Sequence, residues 1–197
     1  MPFFSRRQLA AGALPPIARL VAALGLSPDQ LTVLGALLSV GAGAAIATGH
    51  LFAGGWLFLA GSGLDLLDGA VARLRGRVSK RGALLDSTLD RVGEAAALVG
   101  VAIWYTREAA VPEVALAGAA LATSTLVSYI KARAEGLGLP AREGFFTRPE
   151  RVIVLTLGLL LSPIWGDAVL AALAAIAALS AAAAASRFWA AWSHREE

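Results

Sequence analysis

Cysteine is absent from the chain, which excludes a disulfide framework, a thiolate metal site and thiol catalysis, and leaves no record of a redox compartment. Charge is sparse as well: Asp, Glu, Lys and Arg make up 16% of the 197 residues, against about 25% in soluble domains. The opening, Met1 to Ser5 followed by Arg6 and Arg7, has no apolar stretch leading to a small-residue cleavage site, so no removable signal peptide is expected. What the chain has in excess is apolar sequence, with 57% hydrophobic residues and a mean hydropathy of +0.69. These residues arrive in blocks of about 20, the length a helix needs to cross a hydrocarbon core of about 30 Å. The expected fold is an all-α polytopic membrane protein.

Six transmembrane helices are expected, at 31–49, 52–74, 83–105, 112–134, 150–165 and 168–190. Charge alternates between their connections. Arg6, Arg7 and Arg19 precede the first span; Arg73, Arg75, Arg77, Lys80 and Arg81 surround the second connection; Lys131, Arg133, Arg142, Arg148 and Arg151 surround the fourth; Arg187 and Arg195 close the chain. The other connections carry only Arg107. By the positive-inside rule both termini and the basic connections lie in the cytoplasm, in a multi-pass protein of the cell membrane. Each basic cluster abuts an apolar span, so membrane lipids with anionic headgroups or phosphorylated substrates are expected partners, and nucleic acid is not.

Residues 1–30 are expected to form a juxtamembrane segment holding an interfacial amphipathic helix, opened by Pro16, with Ile17, Leu20, Val21 and Leu24 on one face and Arg19 elsewhere. Gly25 to Asp29 supplies turn and N-cap chemistry before the membrane domain of residues 31–192, and 193–197 form a short cytoplasmic tail. Pro140 to Thr147 interrupt the fourth connection, and Pro149 suits a first helical turn. The Ala-rich stretch Ala171 to Ala185 reads as scaffold.

Four carboxylates stand in the otherwise apolar second and third spans. Asp65 and Asp68 are spaced i, i+3 and Asp86 and Asp90 i, i+4, so each pair projects from one face of its helix. Two facing pairs make a cage. Burying an aspartate at mid-membrane costs about 2.5–3.5 kcal/mol, so four without partners would cost on the order of 10 kcal/mol, and a positive charge must sit among them. Oxygen donors without sulfur suit hard cations such as Mg²⁺ or Mn²⁺, and neither His50 nor His194 is near the motif in sequence. Two such ions are the clamp used in phosphoryl displacement. Two other readings use the same residues: salt bridges to Arg73, Arg81 and Arg91, or a cation or proton pathway in a transporter. Gly69 either lets a bulky nucleotide approach the backbone or makes a helix-packing contact.

The pattern Asp65, Asp68, Gly69, Ala72, Arg73, Gly82, Asp86 and Asp90 resembles the signature of the CDP-alcohol phosphotransferase family, with every interval respected. The resemblance implies a six-helix membrane enzyme, usually a homodimer, in which Asp65, Asp68, Asp86 and Asp90 hold two divalent cations, Mg²⁺ or Mn²⁺, against the donor diphosphate. It further implies that Asp90 is the general base on the acceptor hydroxyl, that Asp29, Thr32, Gly69, Arg73 and Ser79 contact the CDP donor, and that CMP leaves. A hydroxyl is a poor nucleophile at neutral pH, so a carboxylate within hydrogen-bond reach is a chemical requirement of such a transfer.

Ser128, Lys131, Arg133, Arg148, Arg151 and Arg187 are expected near one leaflet, and such a cationic cluster favours a phosphorylated acceptor over a plain alcohol. The segments Ser128 to Glu135 and Arg148 to Arg151 are similar to those of bacterial phosphatidylinositol phosphate synthases. That similarity implies CDP-diacylglycerol, or CDP-archaeol, as donor and inositol 1-phosphate as acceptor, its phosphate meeting those six residues. Glycerol 3-phosphate is the alternative acceptor, and a nonenzymatic cation transporter the remote alternative.

Overall fold

A computed structural model describes residues 14–23, 25–76, 79–140 and 144–193, and among them every element is helical. In chain order these are α1 (Leu14–Ala23), α2 (Pro28–Ala47), α3 (Leu51–Leu74), α4 (Lys80–Arg107), α5 (Val111–Gly136), α6 (Arg148–Leu161) and α7 (Ala168–Trp192). The expected turn chemistry opens α2: the Gln30 amide donates to Ser27 Oγ at 3.2 Å and the Ser27 amide to Gln30 Oε1 at 2.8 Å, a reciprocal capping box with Pro28 in the first turn. Arg6, Arg7, Arg77, Arg142 and Arg195 lie outside the described residues.

The long helices form a ring in which α2 packs on α3, α3 on α6, α6 on α7, α7 on α5, α5 on α4 and α4 back on α2. The two aspartate-bearing helices, α3 and α4, touch each other only weakly, whereas α2 packs closely on both. Small residues make that approach possible. A Cβ at Gly35 would stand 2.8 Å from the Gly61 carbonyl, one at Gly61 2.6 Å from the Gly35 carbonyl, and one at Gly93 2.7 Å from the Ser39 Cβ. Gly43 and Gly100 meet backbone to backbone in the same way. A side chain at any of these positions would push α3 or α4 away from α2.

The main apolar core runs through the ring from the end remote from the aspartates, around Ile46, Phe58, Leu98, Val101, Leu159, Leu173 and Ile176, to Val127 and Val152 in the cavity wall. Large apolar side chains also cover the outside, including Leu37 and Val40 on α2, Trp56 on α3, Ile103 on α4, Leu157 on α6 and Phe188 and Trp189 on α7. Outward apolar faces on such helices suit lipid as the surrounding solvent, and the chain is a membrane protein.

Four of the six expected spans, α2, α3, α5 and α7, are long and apolar enough to cross a bilayer unaided. α4 has 28 residues but carries the charges of Lys80, Arg81, Asp86, Asp90, Arg91, Glu94 and Arg107. α6 has only 14 residues, about 21 Å of helix, because it stops at Leu161, short of the expected 165, just before Pro163, which lacks the amide needed to extend it. In α1, Ala18 is buried and Val21 packs with it against Leu31, Ala70 and Val71, while Leu20 is 66% exposed and Arg19 is exposed. The packed face is therefore Ala18 and Val21, and Leu20 departs from it. The side chains of Ile17 and Leu24 lie outside those described.

The glycine contacts generate a stability prediction. Gly61→Leu forces α2 from α3 and is expected to remove about 1–3 kcal/mol or more, read as a lower thermal unfolding midpoint in detergent. Gly63→Ala, which meets nothing within 4 Å, is expected to leave the midpoint unchanged. Equal midpoints for the two variants would contradict this packing.

Candidate active site

The i, i+3 and i, i+4 spacings place Asp65 and Asp68 of α3 opposite Asp86 and Asp90 of α4, on two helices that α2 draws together. Asp65, Asp68 and Asp86 each offer a carboxylate oxygen, and all three oxygens lie within 4.8 Å of one another. At that separation each pair of charges repels by on the order of 3 kcal/mol at an effective dielectric of about 20. Asp90 stands beside this cluster, linked to it through Arg148: Arg148 Nη1 is 2.5 Å from Asp65 Oδ2 and 2.7 Å from Asp90 Oδ1. The second contact is an ion pair without hydrogen-bond alignment, so Asp90 Oδ1 is buried without a donor. Asp68 is 5% exposed, and its Oδ2 accepts a hydrogen bond from Thr32 Oγ1, which also lies 3.0 Å from the Pro28 carbonyl. Three clustered carboxylate oxygens, with the orphaned buried Asp90 Oδ1 beside them, fit a hard divalent cation.

The residues expected at the donor gather where the start of α2, the end of α3 and the start of α4 converge. Thr32 is bonded to Asp68, as above. Ser79 caps α4, accepting the Gly82 amide at 3.0 Å, and Asp29 Oδ1 lies 3.7 Å from where a Gly82 Cβ would stand. Among the described residues, an added Cβ at Gly69 would meet only the Arg73 guanidinium, Nη1 at 3.4 Å and Nη2 at 4.0 Å, and no neighbouring helix. Of the two readings of this glycine, helix packing is therefore not the one its surroundings support. The alternative pairing of the aspartates with Arg73, Arg81 and Arg91 is not found among the described ion pairs; Arg148 takes that place.

A cavity of about 730 Å³ opens beside the carboxylates. Asp65, Asp86 and Asp90 line one side, and Ser128, Lys131, Arg148, Arg151 and Arg187 line the rest together with residues of α4 and α6. Arg133 does not line it. Two residues turn a helix by about 200°, so Lys131 toward the cavity sends Arg133 to the exposed far side of α5. Arg151, 2% exposed, is committed to Glu94 through two bonds, Nε to Oε1 at 2.6 Å and Nη2 to Oε2 at 2.9 Å. Arg187, 8% exposed, donates through Nη1 to the Val127 carbonyl at 3.0 Å, and its Nε is buried without a partner. A Cβ at Gly144 would stand 2.8 Å from that Nε, so the glycine gives the guanidinium its room.

Glu94 is the site residue that sequence reasoning missed. Its signal was present: Asp86, Asp90 and Glu94 recur at i, i+4 and i+8 along one face of α4.

The sequence model of the CDP-alcohol phosphatidyltransferases matches residues 25–193. The chain is 42% identical over 169 residues to the phosphatidylinositol phosphate synthase of Mycobacterium tuberculosis, covering 82% of this chain and 75% of that one. It is 37% identical over 153 residues to the archaetidylinositol phosphate synthase of Methanothermobacter thermautotrophicus, covering 75% of each. Among solved structures, the Mycobacterium tuberculosis phosphatidylinositol phosphate synthase with CDP-DAG bound matches at a TM-score of 0.85 and 35% identity, over 95% of this chain and 100% of that one. The same synthase in complex with manganese and citrate matches at 0.83 and 35%, over 93% of each. The chain belongs to the CDP-alcohol phosphatidyltransferase family and is a phosphotransferase.

The buried pair yields a second prediction. Glu94→Gln leaves the Arg151 guanidinium enclosed without its counter-charge and is expected to cost about 3–5 kcal/mol, whereas Glu94→Gln combined with Arg151→Met recovers most of the loss. Thermal unfolding of the single and double variants in detergent measures both, and an unshifted single variant would contradict the pair's structural weight.

Proposed function

We propose that the chain transfers the phosphatidyl group of CDP-diacylglycerol to inositol 1-phosphate, releasing CMP and forming phosphatidylinositol phosphate. The observation that carries this reading is the adjacency of the carboxylate cluster and a cavity lined by Lys131, Arg148, Arg151 and Arg187. A phosphate monoester acceptor needs such cations, and a plain alcohol does not. The acceptor assignment is supported by two relatives whose names differ in the lipid, phosphatidyl or archaetidyl, and share inositol phosphate. CDP-archaeol is the corresponding donor if the lipid is archaeol-based.

In this reading Asp65, Asp68, Asp86 and Asp90 hold two divalent ions, Mg²⁺ or Mn²⁺. When bound, these supply Lewis-acid charge to the diphosphate and to departing CMP. Asp29, Thr32, Gly69, Arg73 and Ser79 bind the CDP moiety, with the open space above Gly69 leaving room for the nucleotide. Ser128, Lys131, Arg148 and Arg187 orient the acceptor phosphate, and Arg151 braces the wall through Glu94. Arg133, on the far side of α5, takes no part. Asp90 takes the proton from the acceptor hydroxyl as its oxygen bonds to the lipid-bearing phosphorus and the bond from that phosphorus to CMP breaks.

The same proposal includes a multi-pass protein of the cell membrane with six spans, α4 and α6 crossing as members of the ring, their charges turned inward, in a membrane domain of residues 31–192. The basic residues Arg73, Arg75, Lys80, Lys131, Arg148 and Arg187 share one end of the bundle and Arg107 the other, which supports cytoplasmic termini. Of the juxtamembrane segment 1–30 and the tail 193–197, residues 1–13 and 194–197 lie outside the described residues; the enzyme works as a homodimer.

CMP release by the purified protein in detergent, with CDP-diacylglycerol and Mg²⁺ or Mn²⁺, tests the reading. Turnover is expected with inositol 1-phosphate and not with glycerol 3-phosphate or free inositol; turnover with glycerol 3-phosphate alone would overturn the acceptor. Asp90→Asn is expected to slow turnover by about 10²–10⁴-fold, and a variant at the wild-type rate would remove Asp90 from proton transfer. Lys131→Ala, at a half-buried position in the cavity wall, is expected to raise KM for inositol 1-phosphate by about 10-fold while KM for CDP-diacylglycerol stays put. An unchanged KM for the acceptor would place its phosphate elsewhere.

A further inference from the structure

The first turn of α6 sends two arginines across the cavity toward α4, and they are held in different ways. Arg151 is fully committed: two of its nitrogens grip the two oxygens of Glu94, and both side chains are buried. Its Nη1 lies 3.5 Å from the carbonyl of Phe146, a buried residue held at a left-handed φ of 55°, so the loop entering α6 is fixed at the same point. Arg148, three residues earlier and first in the helix, reaches the aspartates with one nitrogen only. Nη1 bridges Asp65 on α3 and Asp90 on α4, while Nε is buried with no hydrogen-bond partner. A donor without a partner is a standing cost in that position.

The carboxylates that Nη1 engages are also carboxylates that a divalent ion requires. Asp65 belongs to the cluster of three, and Asp90 Oδ1 has no other partner. A metal ion sits about 2.0–2.2 Å from a carboxylate oxygen. An ion among these carboxylates and a guanidinium nitrogen 2.5 Å from Asp65 Oδ2 would compete for the same charge and repel each other. The cavity of about 730 Å³ that Arg148 lines together with these carboxylates gives its side chain somewhere to go.

We propose that Arg148 is an exchangeable internal cation of the aspartate cluster, displaced by side-chain rotation into the adjoining cavity when a divalent ion takes Asp65 and Asp90, while the Glu94–Arg151 pair keeps α6 in place. The proposal rests on the reading of the cluster as a metal site. It makes metal entry and completion of the acceptor site a single event: the guanidinium that leaves Asp65 and Asp90 becomes available to a phosphorylated acceptor. Arg148 is thereby a positioning residue for the metal step and a binding residue afterwards.

The test is Mn²⁺ titration of the purified protein in detergent without substrates, following the electron paramagnetic resonance signal of the free aqua ion. Arg148→Gln is expected to bind the first Mn²⁺ at least about 10-fold more tightly than wild type, and Arg148→Lys, which retains the charge, to remain near wild type. Equal or weaker binding by Arg148→Gln overturns the proposal. Unfolding midpoints with and without Mn²⁺ give a second reading for a variant of reduced stability: the Mn²⁺-dependent rise must be larger in Arg148→Gln than in wild type, and a smaller rise overturns it. Wild-type protein that binds no Mn²⁺ would remove the metal reading itself, a result distinct from a wild type that binds and a variant that does not differ.

Discussion

Close backbone approach along α2 sets the distance at which the carboxylates of α3 and α4 meet. Those two helices barely touch each other, so nothing along their own contact fixes their spacing. Each is docked instead on α2, through Gly35 and Gly61 on one side and Gly43, Gly93 and Gly100 on the other. With no side chains at these contacts the helices draw in, and three carboxylate oxygens come within 4.8 Å of one another. Packing thus drives together charges that would otherwise spread apart, and the apolar core of the ring supplies the stabilisation that this arrangement consumes.

The repulsion is moderated by groups from other elements, each serving a different purpose. The Thr32 hydroxyl steadies Asp68. Arg148 bridges Asp65 and Asp90 through a single nitrogen, an arrangement suited to exchange. Arg151 and Glu94 neutralise each other in a closed, bidentate pair that anchors the start of α6. A site that must accept ions, a diphosphate and a second phosphate needs both behaviours. It needs charge that can be redistributed on binding, and a frame that does not shift when that happens.

Much of this was legible in the sequence. Blocks of apolar residues located the helices, and the i, i+3 and i, i+4 spacings put the aspartates on shared faces before any contact was known. Periodicity says which residues share a face, but not which neighbour that face meets. Hence Arg148 and Arg151 both read as phosphate ligands, although the structure engages one with Asp65 and Asp90 and the other with Glu94. Glu94 lies one helical turn beyond the aspartate motif, on the face that Asp86 and Asp90 share. Arg133 was grouped with Lys131 by proximity in sequence, which a helix converts into opposite faces. The glycines of α2 and α3 gave no sign of their role, since a small residue reveals its purpose only through the backbone it faces. The shortness of α6 follows from Pro163, whose effect on helix length is local and is written in the sequence.

The central claim is that the four aspartates, drawn together by α2, hold divalent metal at the point where donor and acceptor meet. Anomalous diffraction from crystals grown with Mn²⁺ tests it most directly. The account predicts anomalous density within coordination distance, about 2.0–2.2 Å, of oxygens of Asp65, Asp68 and Asp86, with Asp90 in the same shell and Arg148 turned away. Density elsewhere in the molecule, or Arg148 still bridging Asp65 and Asp90 with no peak between the helices at saturating Mn²⁺, would contradict it.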